Sequence, residues 1–405
     1  MKDNLYDTRF LLKSLMENMT DHIYFKDIES RFIMVNKSFC DWAGLESTEI
    51  VGKTDFDLFA AAHAQQAYDD EQRIISTGEP LVGVEEKETW PNGRITWVST
   101  TKMPLRDAHG EVIGTFGVSR DITEHKEAEL RAAYYAEQVR RIKEGMEDDV
   151  RMAAELQKTF FPRWYPAFPA GVSDAESCVE FNHYYEASGL VSGDFCTVRR
   201  LSDSCAGIFL CDVMGHGVRA ALGTALICAI VEELAPIATE PGKFLERMNE
   251  LLVPMLRQED MLLSASACYM VFDASTGKLT LASAGHPIPL HLKADGNTAD
   301  WLMDDSALQG CALAIAEEAT YVTVEKQLQP GDSVVMYTDG LYEVERSDGE
   351  EYGEARLLAV ARELGHLPLK ELFPALKKEA CMFAESSELD DDVCMVGLHF
   401  KRPME

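Results

Sequence analysis

The sequence is short of positive charge for its length: 38 Lys and Arg stand against 69 Asp and Glu, a formal net charge of −31 over 405 residues. A surface of that sign repels a phosphate backbone, so no nucleic-acid partner is expected. A bilayer-length apolar run is also missing. The longest run, Ala220 to Val231, is closed by Glu232 and Glu233 and falls short of the about 20 residues a membrane-spanning helix needs. The start resembles no signal peptide, and the ten cysteines include no C-x-x-C pair and no zinc-site spacing. These absences lead to the expectation of a cytoplasmic protein with reduced, mostly buried thiols and no membrane segment. What is present is a globular composition, 46% apolar and 26% charged, long enough for two or three domains.

Three regions separate by pattern. Up to about Thr123, short strand candidates (Ile23–Phe25, Phe32–Val35, Ile95–Thr101, Val112–Val118) alternate with turn signals at Pro91-Asn92-Gly93 and His109-Gly110. Glu71–Ser76 reads as the end of a helix before Thr77-Gly78, so this part is expected to be a small α+β domain. From Glu124 to Phe160 there is no Pro, and Ala128, Ala132, Tyr135, Val139, Ile142 and Met146 recur at 4-3-4-3-4 spacing. That is the seam of a left-handed coiled coil, with a stutter where Met146 steps to Val150. A single amphipathic helix lying on a domain would show a similar pattern. The helix is expected to stop at Phe161-Pro162. Beyond Trp164, strand-like runs rich in apolar residues (Ala206–Cys211, Ala267–Phe272, Lys278–Ser283, Ser333–Tyr337, Val393–Phe400) surround helices at Val218–Leu234, Lys243–Leu256, Glu354–Leu364 and Leu369–Ala384. Such strands predict sheets covered on both faces.

Four aspartates stand at the ends of those strands: Asp194 in Ser-Gly-Asp-Phe, Asp212 before Val-Met-Gly-His-Gly, Asp339 before Gly340, and Asp391 in Asp-Asp-Asp-Val. Each alone reads as readily as a turn or a solvated cap. If they converge, hard carboxylate ligands of this kind suit Mg²⁺ or Mn²⁺.

Taken in order, Ser192-Gly193-Asp194-Phe195, Asp212-Val213-Met214-Gly215-His216-Gly217, Ser283-Ala284-Gly285-His286-Pro287, Pro330-Gly331-Asp332, Tyr337 to Glu343 and Asp391-Asp392-Val393 resemble the metal-dependent (PPM-type) serine/threonine phosphatases, relatives of protein phosphatase 2C, in their bacterial sporulation and stress-response branch. The likeness runs from about Ala153 to Phe400. It implies a β-sandwich flanked by helices and two Mn²⁺ or Mg²⁺ ions. Asp212 would bridge the ions, the Val213 carbonyl would bind one, Asp339 and Asp391 would hold the other, and Asp194 would act directly or through water. Which of Asp390, Asp391 and Asp392 is the ligand is a question of register, with Asp391 favoured. His216 reads equally as structural or catalytic, and Gly215 and Gly217 would let the backbone near the ions. Ser192 replaces a Gly of the family pattern and Cys394 a Thr. Two cations of this kind activate a water for in-line attack on a phosphoryl group, and the sequence has no Cys-x5-Arg loop for the alternative thiol chemistry. The branch implies a phosphorylated protein substrate, typically the antagonist of an anti-sigma factor. A catalytically dead scaffold binding the same partner is the alternative.

The N-terminal region resembles a PAS domain through Tyr24-Phe25-Lys26-Asp27, Arg31-Phe32, Asn36, Gly52 to Phe59, Asn92-Gly93, Trp97 and Gly117-Val118-Ser119-Arg120-Asp121-Ile122-Thr123. At the position ten residues ahead of Thr77, where haem-binding relatives carry His, stands Ala67, with His63 a turn away. No flavin-type cysteine motif is present, so neither cofactor is expected. The fold class is therefore expected to be α+β multidomain: a PAS sensor over 8–124, a coiled-coil linker over 125–161 that pairs two chains, and a phosphatase domain over 162–405. A sensor histidine kinase would need a phospho-accepting His in a helix and a Gly-rich lid, and a cyclic-dinucleotide synthase a Gly-Gly-Asp/Glu-Glu-Phe turn; neither pattern is found.

Overall fold

The computed structural model describes residues 7–258, 261–303 and 310–404, and these fall into two units that divide at Lys143/Glu144. The first contains α1 (Thr8–Asn18), β1 (His22–Asp27), β2 (Phe32–Val35), α2 (Lys37–Ala43), the one-turn helices α3 (Ser47–Ile50) and α4 (Asp55–Leu58), α5 (Ala61–Thr77), β3 (Leu81–Thr89), β4 (Ile95–Arg106) and β5 (Val112–Asp121). Its strands form one antiparallel sheet in the order β2-β1-β5-β4-β3. Asn36 sets the first turn against the sheet: its amide oxygen caps α2 by accepting from Phe39 N at 2.9 Å and also accepts from Ile23 N of β1 at 3.0 Å. Tyr24, Phe32, Val35, Phe39, Ile50, Leu58, Phe59 and Trp90 make the core, with the Trp42 and Trp90 rings 4.6 Å apart.

Charge lies inside this apolar shell. The Lys26 ammonium bonds Asp55 and, at 2.5 Å, Glu71, with all three side chains buried. Burial by itself would lower the Lys26 pKa, but the two carboxylates outweigh it and leave it above its ordinary value. Lys102 pairs with Glu86 at 3.2 Å on the same interior. Burial pushes the Glu88 carboxyl up to about 8, against the hydrogen bond from Thr96. The cavity that remains between Lys26, Trp42, His63, Ala67 and Glu71 is about 20 Å³, room for about one water.

From β5 the chain turns into a long helix, α6 (Thr123–Gln157). Asp121 accepts from Thr123 N at 2.8 Å, and the Thr123 hydroxyl accepts from Trp97 N at 2.9 Å. The Asp-Ile-Thr run thus docks the helix start on β4. The helix ends at Gln157, before the expected stop at Phe161-Pro162. Gln157 turns its side chain inward, and Phe161 leaves the helical path to pack in the core of the second unit.

That unit continues with β6 (Val179–Glu186), β7 (Asp194–Arg200), β8 (Cys205–Val213), α7 (Val218–Glu233), α8 (Pro241–Leu256), a two-residue pair β9 (Arg257–Gln258) and β10 (Met261–Leu262), β11 (Ala265–Asp273), β12 (Lys278–Ala284), β13 (Leu290–Leu292), β14 (Ala299–Trp301), β15 (Val324–Gln327), β16 (Ser333–Tyr337), α9 (Gly353–Leu364), α10 (Leu369–Ala384) and β17 (Val393–Phe400). Two five-stranded sheets form, ordered β15-β12-β11-β8-β7 and β14-β13-β16-β17-β6. Period-2 alternation explains the layering. In β8, Ala206, Ile208 and Leu210 face the core between the sheets, while Phe209, Cys211 and Val213 pack with residues of α7 and α8. In β17, Cys394, Val396, Leu398 and Phe400 face the same inner core, while Val393 and Met395 pack with residues of α9 and α10. Each strand is buried on both sides, which accounts for its unbroken apolar sequence.

Removing Lys26 would leave Asp55 and Glu71 buried beside each other without their cation. Lys26→Met is expected to destabilise the N-terminal unit by about 3 kcal/mol or more, which lowers hydrogen-exchange protection of the β1 and β5 amides roughly a hundredfold. Unchanged protection would show that the pair is dispensable.

Candidate active site

The two sheets present their carboxylates at one end of the sandwich. Asp194 is the first residue of β7 and lies directly across from Asp212 near the end of β8. On the opposite sheet, β16 ends at Tyr337, Asp339 opens the turn that follows, and Asp391 and Asp392 lead into β17. Tyr337 pairs with Met395, so the end of β16 and the start of β17 are neighbours. Thr338 joins the two sheets. Its hydroxyl donates to Asp194 Oδ2 at 2.8 Å, and the same oxygen accepts from Cys394 N at 2.9 Å.

Like charges placed this way raise one another's pKa. Asp194, 1% exposed, is pushed well up by burial and then by Asp212, against the hydrogen bond from Thr338. Burial, Asp339 and Asp391 carry Asp212 up to about 7, and burial, Asp391 and Glu343 carry Asp339 up to about 6. No cation stands among the leading causes of these shifts, in contrast to the Lys26 cluster. Among the described residues, no three His, Cys, Asp or Glu side chains are grouped closely enough to hold a metal ion as they stand. The carboxylates are within electrostatic reach of each other but not drawn to one point, and such groups have no reason to close further unless a positive charge lies between them. The donor set, all hard oxygen and short of positive charge, fits Mg²⁺ or Mn²⁺.

The three consecutive aspartates divide their work. Asp392 is buried, and its carboxylate is taken up by Ser188 N at 2.8 Å, Ser188 Oγ at 3.0 Å and Gly193 N at 2.9 Å. Asp391 is exposed and is the residue of the three that most raises Asp339. Tight backbone approaches in this region are at Gly193, where a Cβ would stand 2.5 Å from the Val213 carbonyl oxygen, and at Gly340, where it would stand 2.1 Å from the Asp392 carbonyl oxygen. At Gly215 and Gly217 the surroundings are open, and the requirement is a left-handed φ of 88° and 77°. Val213 is held by its N–H, which donates to Gly193 O at 3.1 Å.

Both departures from the family pattern have a structural place. The Ser192 hydroxyl accepts from Asp194 N at 2.9 Å, and the Cys394 side chain is buried in the core between the sheets. His216 is exposed beside the site. His286 is buried and its pKa falls to about 3 through desolvation; its Nδ1 meets Ser266 Oγ at 2.9 Å. Asp332 lies at the far end of β16 from Asp339 and is occupied by Gln329 N, Ala294 N and His291 Nε2. The motif around it is a turn, not part of the site. Thr338 and Asp392 were not singled out from sequence as positioning groups, and only their place beside Asp339 and Asp391 could have pointed to them.

A helix-flanked double sheet that brings aspartates of both sheets to one end is the arrangement expected of a phosphatase domain of the PPM class. Residues 202–401 match the family model for stage II sporulation protein E (SpoIIE), and residues 16–127 match the model for the PAS fold. The chain is thus a PAS domain followed by a SpoIIE-type serine/threonine phosphatase domain. It is similar to phosphoserine phosphatase RsbU of Bacillus subtilis (strain 168), 23% identical over 270 residues that cover 65% of this chain and 73% of RsbU. It is also similar to phosphoserine phosphatase RsbP of the same organism, 24% identical over 164 residues, but spans only 40% of that protein's length. The SiaA-PP2C domain of Pseudomonas aeruginosa shares the fold with a TM-score of 0.52 at 20% identity, covering 64% of this chain and 98% of that domain.

A carboxyl that titrates near 7 when folded and near 3.9 when unfolded binds more protons folded between those values, so stability falls as pH rises through that window. In excess chelator, the thermal midpoint of the phosphatase domain is expected to drop from pH 5 to pH 7.5. Asp212→Asn should flatten the drop and raise the midpoint at the higher pH. A destabilised metal-free Asp212→Asn would contradict this account of the site.

Proposed function

We propose that the protein hydrolyses phosphoserine or phosphothreonine on a partner protein, using two divalent cations, under control of its PAS domain. The observation that carries this reading is the set of carboxylates, raised in pKa by burial and by one another with no cation among the leading causes, at one end of a SpoIIE-type domain. Asp212 would bridge the cations, with the Val213 carbonyl on one, Asp339 and Asp391 on the other, and Asp194 binding directly or through water. When bound, the cations would supply an activated water and hold the phosphoryl oxygens for in-line displacement. The chain's own residues provide orientation. Thr338 fixes one oxygen of Asp194, and Asp392 fastens the backbone of Ser188 and Gly193.

RsbU and RsbP are named phosphoserine phosphatases, and the same chemistry is the reading for this chain. A small phosphorylated antagonist of an anti-sigma factor is the substrate class we propose. No helix among the described residues is long and apolar enough to cross a membrane, and the proposed location is the cytoplasm. The functional division proposed is a sensor over 8–124, a helical linker over 125–161 and a catalytic domain over 162–405. The linker seam supports a homodimer: Val139, Ile142 and Met146 are 65%, 63% and 64% exposed on the single chain, a cost that pairing with a second copy would relieve.

Purified protein is expected to hydrolyse a phosphoserine peptide with Mn²⁺ or Mg²⁺ and to stop in excess chelator. Asp212→Asn and Asp339→Asn should each lower kcat by roughly a hundredfold or more, with far-UV circular dichroism unchanged; full activity in either would sink the reading. A second measurement addresses the linker. Val139→Glu/Ile142→Glu should shift sedimentation toward a monomer and change phosphatase output, although neither residue is near the carboxylates. An unchanged dimer with unchanged output would mean that the helix packs by another face.

A further inference from the structure

Gln157 is the last residue of α6, 3% exposed. Its amide nitrogen donates to Ser192 O at 2.6 Å, and its amide oxygen accepts from Ser192 N at 3.0 Å. One side-chain amide thereby satisfies both backbone groups of a single residue, as a paired strand would. The Tyr185 hydroxyl reaches the same amide oxygen at 3.5 Å. Ser192 begins the Ser-Gly-Asp run, in which Ser192 Oγ receives Asp194 N, Gly193 N is held by Asp392, and Gly193 O accepts from the Thr224 hydroxyl of α7 at 2.9 Å. The other links in that run come from the run itself and from residues of the phosphatase domain, Thr224 also reaching Ser192 O at 3.5 Å, whereas Gln157 is the end of the linker helix.

We propose that Gln157 is a positioning residue for the carboxylate site, holding the Ser192-Gly193-Asp194 backbone so that Asp194 stands where it can share a divalent cation with Asp212. The assignment rests on the phosphatase reading above. It touches neither substrate nor cation. Its effect runs through Ser192, and two geometric facts make that run stiff: Asp194 faces Asp212 in strand register, and Gly193 lies against the Val213 carbonyl with no room for a Cβ. A side chain that cannot both donate and accept at Ser192 frees the loop at its first residue, and Asp194 with it.

The test compares Mn²⁺ binding, by isothermal titration calorimetry on the full chain, in wild type, Gln157→Glu, Gln157→Met and Asp212→Asn. Gln157→Glu keeps the shape and loses the donor, while Gln157→Met keeps the length and loses both bonds. Removal of a partner that orients a ligand commonly weakens metal affinity about tenfold or more, and that loss is expected in both Gln157 variants. Phosphopeptide hydrolysis should then show a raised Mn²⁺ requirement, with kcat largely restored at saturating Mn²⁺, a split that a general loss of fold would not produce. Wild-type Mn²⁺ affinity in folded Gln157 variants would overturn the proposal, provided that Asp212→Asn abolishes hydrolysis. Loss of the fold in both Gln157 variants would make the residue a core element and overturn it as well. If Asp212→Asn instead hydrolyses the peptide as wild type does, the phosphatase reading has failed, and the positioning role with it.

Discussion

At the end of the phosphatase-domain sandwich, aspartates from two different sheets are held near one another, against their own repulsion. The energy that holds them comes from elsewhere. Between the sheets, Ile208, Leu210, Met270, Phe272, Val396, Leu398 and Phe400 are buried in one contiguous core, and each such side chain contributes about 1.5–3 kcal/mol on leaving water. Sheet registration then leaves Asp194 opposite Asp212 and Asp339 near Asp391, and the carboxyls respond by rising in pKa. A site of this kind is stable in the chain because the core is large, and no cation stands among the leading causes of its raised pKa values.

The N-terminal domain meets a related difficulty in the opposite way. There too carboxylates lie inside an apolar shell, but Lys26 sits between Asp55 and Glu71, and Lys102 beside Glu86. The charges are settled within the domain, with a cavity of about one water's volume left over. One domain carries its counter-charge in its sequence. In the other, no cation is among the leading influences on Asp194, Asp212 and Asp339, and that place is the one proposed for divalent ions.

Between these domains runs α6, whose two ends are tied by different chemistry. At its start Thr123 bonds the backbone of Trp97 in the PAS sheet, and at its end Gln157 bonds the backbone of Ser192 in the carboxylate loop. Val139, Ile142 and Met146 of the seam between these ties are exposed, and the proposed pairing with a second copy would cover them.

Much of this was legible beforehand because it depends on local pattern. Unbroken apolar strands announced sheets covered on both faces, the 4-3 spacing announced the long helix, and the ordered aspartate motifs announced the PPM-type domain. The misses share a cause. Strand β3 carries Glu86 and Glu88 at positions that the fold buries, so its sequence reads as solvent-facing. Strands β14, at the sheet edge, and β13 beside it, three residues each, are too short to show a period. The helix stop was placed late because Phe160-Phe161-Pro162 looked like its end, whereas the break is set by Gln157 turning toward Ser192, 35 positions further along the chain. By itself the sequence determined which residues could be buried, which segments could be helix or strand, and which oxygens were available to a cation. Only the tertiary structure decided that Asp392 serves the loop while Asp391 stays exposed and raises Asp339, that Thr338 bridges the sheets, and that Gln157 bonds the backbone of Ser192. Hydrogen bonds between groups remote in sequence leave no periodic trace. They exist only once packing has set the distances.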